Sequence, residues 1–214
     1  GIDSTSESGE GGLVWTKRRG DAVHHTLYDT ARGATKRLFS SLVNAETTET
    51  NGLTSFNSNG FTVGSAAAEN NNGSEIVSWT WRKAPRFFDV VQFTVGSTGT
   101  DTIINHSLGS DVGMVITKLT STTSNWGVHH RDLVSANEYM YLNTTAAAAS
   151  YDTVSFSSTQ VDLGTFWSTN NAGATGVAYI FAHNNNDGEF GPSGDQDVIK
   201  CGSYTNSGSG VEVN

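Results

Sequence analysis

Two histidine pairs, His24-His25 and His129-His130, are by residue type the most tempting metal ligands in this 214-residue chain. Neighbours on a strand point to opposite faces, so a His-His pair is poorly placed to chelate one ion, and no cysteine or acidic spacing around either pair supports a site. The stretch His183-Asn184-Asn185-Asn186-Asp187-Gly188-Glu189, with Asp195 and Asp197 beyond it, is acidic and glycine-rich as calcium loops are. It offers Asp187, Glu189, Asp195 and Asp197 as oxygen ligands, but Gly194 stands where an EF-hand places its bidentate Glu. A solvated turn is the competing reading. No nucleophile stands out for covalent chemistry. Cys201 is the single cysteine, with no His or Asn motif beside it, and neither a Gly-x-Ser-x-Gly elbow nor a phosphate-cradling loop is present. Carboxylate pairs for glycosidase chemistry would have to assemble in space, and no stretch points to them. The sequence therefore reads as a non-enzyme without a cofactor.

Sugar is the ligand class the remaining residues suggest. Trp126, Trp167, Tyr151 and Tyr204 fall outside the repeated core pattern described below and are candidates for stacking on sugar rings, with core or interface packing as the alternative. Asn72, Asn105 and Asn143 each begin an Asn-x-Ser/Thr acceptor, matches that a chain so rich in Asn, Ser and Thr produces by chance, and the same abundance would suit O-linked sugar. Arg19-Gly20-Asp21 is an integrin-type tripeptide, which a hairpin turn also explains.

Composition narrows the class. Glycine is abundant (24) and proline scarce (2), and charged residues make up only 15% of the chain, as in all-β proteins with short strands and polar turns. A net charge of −9 argues against a nucleic-acid surface. The basic residues Lys17, Arg18, Arg19, Arg32, Lys36, Arg37, Arg82, Lys83 and Arg86 crowd the first half, an asymmetry that would help one end of a molecule meet the other end of its neighbour. No apolar run approaches the roughly 18 residues that cross a bilayer, so no membrane insertion is expected. One cysteine allows no internal disulfide. The chain starts at Gly1 with neither methionine nor basic leader, which reads as a processed product or a piece of something longer.

The elements that must carry these residues are strands. Phe87 to Thr94 alternates, is rich in aromatic and β-branched residues, and lies between Pro85 and Gly96. Leu13 to Lys17, Val23 to Tyr28, two short strands around Asn57-Ser58-Asn59-Gly60, and Ile76 to Trp81 read likewise. Only Ala31 to Val43 has helical character, weakened by Gly33. The plan then repeats. At a constant offset of 100 residues Phe56 matches Phe156, Asn70-Asn71 matches Asn170-Asn171, Gly73 matches Gly173, Trp79 matches Tyr179 and Trp81 matches Phe181. Upstream, Gly12 to Lys17 answers Gly113 to Lys118, and Val23-His24-His25 answers Val128-His129-His130. Ordered matches of this kind indicate internal duplication. The expected fold is all-β: two tandem, internally duplicated, jelly-roll-like β-sandwich units joined near Pro85, with one larger sandwich as the alternative. A flexible arm (1–11) precedes units at 12–84 and 85–183, and an acidic loop with a C-terminal strand (184–214) opens an incomplete third. Trp79, Trp81, Tyr179 and Phe181 are expected on inward faces.

Several phrases carry a resemblance: Gly12-Leu13-Val14-Trp15-Thr16-Lys17, Leu27-Tyr28-Asp29-Thr30-Ala31-Arg32-Gly33, Leu53-Thr54-Ser55-Phe56, Trp79-Thr80-Trp81-Arg82-Lys83-Ala84, Phe88-Asp89-Val90-Val91, His106-Ser107-Leu108-Gly109 and Ala178-Tyr179-Ile180-Phe181-Ala182-His183. Together they resemble a repeat domain of unassigned function from tail and other structural proteins of aquatic bacteriophages. The resemblance implies a unit that opens with the Asp-Val-Val strand and a His-x-Leu-Gly turn and closes with the aromatic strand ending in Phe-Ala; it brings no catalytic residues. The first copy here has no opening strand, whereas Asp197, Val198, Ile199, Cys201 and Tyr204 lie in an opening-type strand with no unit behind it. A sandwich without that strand invites another to add. The leading expectation is therefore a structural subunit of an extracellular or virion-associated filament, partnered by itself in a linear or helical homopolymer through strand exchange by either terminus. The rival is a carbohydrate-binding adhesin or tail-fibre receptor-binding module that takes surface glycans.

Overall fold

Both halves of the chain build the same series of strands in the same order. The computed structural model describes residues 1–3, 10–133, 137–151, 153–206 and 208. The first half runs β1 (Gly12–Arg18), β2 (Thr26–Asp29), β3 (Lys36–Phe39), β4 (Thr47–Thr48), the hairpin β5 (Leu53–Asn57) and β6 (Gly60–Val63), one helical turn α1 (Ala67–Asn70), and β7 (Ile76–Arg82). Next come β8 (Phe88–Thr94) and β9 (Ile103–Asn105). The second half then repeats the series as β10 (Val112–Leu119), β11 (Gly127–His130), β12 (Glu138–Tyr141), β13 (Ala149–Ser150), β14 (Ser155–Phe156), β15 (Gln160–Asp162), α2 (Ser168–Asn171) and β16 (Thr175–Ala182). One main sheet has the order β4-β3-β2-β1-β7 and the other β13-β12-β11-β10-β16-β8. Hairpin β5-β6 and the small sheet β14-β15-β9 accompany them. The fold is all-β, and its pairs are antiparallel.

Period-two alternation assigns the faces. On β16, Val177, Tyr179 and Phe181 share a core with Leu13, Leu27 and Leu38 of the first main sheet, while Ala178, Ile180 and Ala182 face Val161, Leu163 and Trp167 on the opposite side. The main sheets thus pack on each other, and each carries its small sheet outside; hairpin β5-β6 covers Val14 and Tyr28 through Leu53, Phe56 and Phe61. The two repeated series of strands therefore share a central core. Burial on both faces explains why β16 reads as a nearly unbroken apolar run.

Polar clamps tie the main sheets together. Asp29 and Arg32 form a buried ion pair (2.6 Å), and the Tyr179 hydroxyl from the other sheet donates to Asp29 Oδ2 (2.8 Å). Trp126 Nε1–H reaches back to the carbonyls of Phe39 and Leu42 (3.0 and 3.1 Å). Lys118, fully buried, donates to Leu119 O (2.8 Å), Ser124 Oγ (3.0 Å) and, across the units, Val43 O (3.3 Å). Burial without a counter-charge pushes this ammonium down to about 8.

Three expectations are corrected. Residues 31–43 are not helical: Asp29 Oδ1 accepts Arg32 N–H in a tight turn, Gly33 and Thr35 take positive φ (93° and 67°), and β3 then pairs with β2. The N-terminal arm is not free throughout, because Ile2 is buried beside Val14, Tyr28 and Leu53; residues 4–9 lie outside the described part. Nor do the histidine pairs correspond. The register opposite Trp15 and Ile116 equates Leu27-Tyr28-Asp29 with Val128-His129-His130, leaving His24-His25 ahead of β2.

His129 therefore occupies the place of Tyr28, whose hydroxyl donates to Glu69 Oε1 (2.8 Å). Neither ring nitrogen of His129 makes a well-formed hydrogen bond, and the ring packs edge-on against Phe166. Burial pushes its pKa from 6.5 down to about 4, offset only in part by the Glu138 backbone. Between these values the unfolded chain holds a proton that the folded chain does not, so stability falls as pH falls through that window. Thermal midpoints measured from pH 6.5 to 4 should decline, and His129→Phe should decline less steeply than the parent.

Candidate functional site: the bare edge and aromatic face of β7

β7 and β16 are equivalent closing strands with unequal surroundings. β16 is paired along one edge with β10 and along the other with β8, from Thr175↔Thr94 to Phe181↔Phe88. β7 pairs with β1 through seven register positions and is the end strand of its sheet among the described strands. Where β8 covers β16, Val90 stands opposite Tyr179 and Phe88 opposite Phe181. Tyr179 is 1% exposed, whereas its counterpart Trp79 is 43% exposed. Trp79 is therefore not the core residue expected, since the strand that would cover it is lacking among the described residues. Trp81 is half-buried, edge-on to Phe181 at 6.4 Å, and Phe181 itself is buried. The opposite face of β7 also follows this asymmetry: Ser78 and Thr80 are exposed where β16 has buried Ala178 and Ile180.

The result is an open aromatic surface. Trp15 meets Trp79 edge-on (6.3 Å between rings) and Trp81 at a tilt (6.2 Å), while His25 lies nearly parallel to Trp79 (7° between planes, 6.3 Å). Trp15 Nε1–H donates to His25 Nδ1 (2.8 Å). Burial, with Lys17 nearby, lowers the His25 pKa, so the ring is neutral at pH 7. These four rings line a depression of about 230 Å³. A second of about 440 Å³ shares Trp15 and His25 and continues to Ser40, Ser41, Leu142, Asn143, Thr144 and Thr145.

Most residues singled out from sequence lie elsewhere. Trp126 and Trp167 are buried core residues, because the doubled packing of the second main sheet covers both of its faces; Tyr151 and Tyr204 are exposed. The calcium candidates do not converge. Arg86 occupies the charge centre, pairing with Asp187 (3.2 Å) and Glu189 (2.9 Å), and Asp197 accepts the backbone N–H groups of Asn186 and Gly188, while Asp195 is exposed. Among the described residues no group of three or more His, Cys, Asp or Glu side chains could hold a metal. Asn72 and Asn105 are exposed, but the Asn143 amide is engaged, accepting from Trp126 N–H and donating to Asn125 Oδ1. Arg19 and Asp21 pair locally with Glu75 and Arg18.

Residues 197–205 are not a strand in this structure, and residues 207 and 209–214 lie outside the described part. Asn184 Oδ1 accepts the N–H groups of Val198 (3.0 Å) and Ile199 (3.1 Å), and Asn184 N–H donates to Ile199 O (2.9 Å). Cys201 is buried, its N–H on His183 Nδ1 (3.2 Å), while Val198 and Tyr204 are exposed. The segment expected to lack a home is thus docked on its own chain by Asn184 and His183 and by packing of Ile199 and Cys201 against the core.

A family model described as a domain of unknown function (DUF7483) matches residues 3–209. No curated protein and no solved structure matches this chain.

Burial predicts how the four aromatics differ. Tyr179→Ala or Phe181→Ala should cost about 3–5 kcal/mol in denaturant unfolding. Trp79→Ala should cost under about 1 kcal/mol, as surface substitutions do.

Proposed function

The chain belongs to the DUF7483 family, whose description assigns no function, and we propose that it is a non-enzymatic structural module of an extracellular or virion-associated filament, extended by strand addition at β7. One observation carries this reading: β16 lies between β10 and β8, whereas its equivalent β7 is the end strand of its sheet among the described strands. Edge strands are ordinarily blunted by Lys, Pro, bulges or shortness, and β7 is seven residues long, regular in register, and free of Lys and Pro. An incoming strand would gain ladder hydrogen bonds worth about 0.5–1.5 kcal/mol each. It would also shield Trp79 and Trp81, each indole contributing through apolar area removed from water.

The donor is the segment 197–205 of a neighbouring copy. Asp197-Val198-Ile199 repeats Asp89-Val90-Val91 of β8. Release exchanges the Asn184 and His183 contacts, the Asp197 bonds to Asn186 and Gly188, and the core packing of Ile199 and Cys201 for the β7 ladder and the cover of Trp79 and Trp81. The resulting contact joins two different surfaces, so it propagates rather than closes. The resemblance to phage tail and structural repeats supports a virion setting, and no helix is long and apolar enough to cross a membrane among the described residues.

Electron microscopy of the intact chain should show head-to-tail polymers, and deletion of 197–214 or Trp79→Lys should give monomers. Polymerisation of the deleted chain equal to that of the intact one would rule out donation by this segment.

A further inference from the structure

We infer that the cleft floored by Trp15 and His25 is a binding site for a neutral saccharide. Its two contiguous depressions share those two rings, one end walled by Trp79 and Trp81 and the other rimmed by Ser40, Ser41, Asn143, Thr144 and Thr145. Pyranose rings present a C–H face that meets the negative face of an indole, and an edge of hydroxyls that needs hydroxyl and amide partners. The cleft supplies both chemistries side by side.

Among the described residues the lining contains no Asp, Glu, Lys or Arg, which disfavours phosphate, sulfate or carboxylate ligands. A purely aliphatic ligand would leave the Ser and Thr rim desolvated and unpaired. The floor is set in advance. Trp15 Nε1–H is committed to His25 Nδ1, which places the proton of the neutral imidazole on Nε2 and makes that atom a donor. Near-parallel contact with Trp79 holds the ring, so little side-chain freedom is lost on binding.

Both units build the rim. Ser40 and Ser41 follow β3 in the first, and residues 142–145 follow β12 in the second, the equivalent position. The site therefore exists only because the main sheets pack face to face. A strand added to β7 would shield the Trp79 and Trp81 end of the cleft, with β1 between that strand and the β2-β3 side where the rim stands; the cleft itself needs no such strand, so this inference does not rest on the filament reading.

The test is titration of the intact chain with neutral tetrasaccharides of glucose, galactose, mannose and N-acetylglucosamine, read by tryptophan fluorescence and saturation-transfer NMR. At least one should bind saturably at millimolar concentration or below. His25→Ala and the double variant Ser41→Ala/Thr144→Ala should each weaken it by roughly tenfold, with unchanged melting curves. The inference is overturned if the folded chain binds none of the four, if folded variants bind as the parent does, or if sulfated analogues bind more tightly than neutral ones. The deletion of 197–214, which leaves β7 open, should bind sugar at least as tightly as the intact chain, and weaker binding by the folded deletion would overturn the inference. Polymerisation is read separately, so failure here is distinguished from failure of strand donation.

Discussion

The meeting of Asp29, Arg32 and Tyr179 between the main sheets is the contact on which the rest depends. Arg32 sits at 1% side-chain exposure and Asp29 at none, so neither charge is tolerable alone. Burial opposes the guanidinium charge, and the carboxylates of Asp29 and Glu46 more than offset it, leaving its pKa raised. Burial and Asp29 push the Tyr179 hydroxyl well above its ordinary value, so it remains a donor. Arg32 also donates to Lys36 O and Leu27 O, which holds the turn feeding β3. One polar knot thus fixes a turn, the register of two strands and the mating of the sheets.

From that mating follows the unequal fate of two similar sequences. The central strands β10 and β16 of the second main sheet are buried on both faces, and β8 covers the outer edge of β16; the first sheet ends in β7, with polar Ser78 and Thr80 outward and indoles on an inner face that outruns its cover. Duplication supplied the same frame twice, and the surroundings made one strand core and the other surface.

Much of the frame could be read in the sequence. Alternation located β1, β7 and β8, and the offset of 100 residues paired Trp79 with Tyr179 and Trp81 with Phe181. Burial could not be read from the same pattern, because the exposure of Trp79 depends on which strand lies beside it. A local signal did exist: Thr80 where the copy has Ile180, and Ser78 where it has Ala178. The stretch 31–43 misled because an Asp-anchored turn and two positive φ values override helical composition. The cleft was missed because Trp15, Trp79 and Trp81 meet through β1–β7 pairing across about 60 residues of sequence, and the rim at 142–145 joins them only through sheet packing. Trp126 and Trp167 looked spare for the converse reason, as the duplicated motif does not record the doubled core.

Face-to-face mating of the main sheets also carries an arithmetic of its own. Each unit spends its inner face on the other, so units of this kind are satisfied in twos. An odd unit would present Leu13-, Leu27- and Leu38-type side chains to water with no mate. The natural quantum of such an array is the couple rather than the single repeat, and insertions or losses of one unit would be penalised where those of two are not. Sequence drift between the members of a couple is then free to specialise them, one as the sealed half and the other as the half that faces outward.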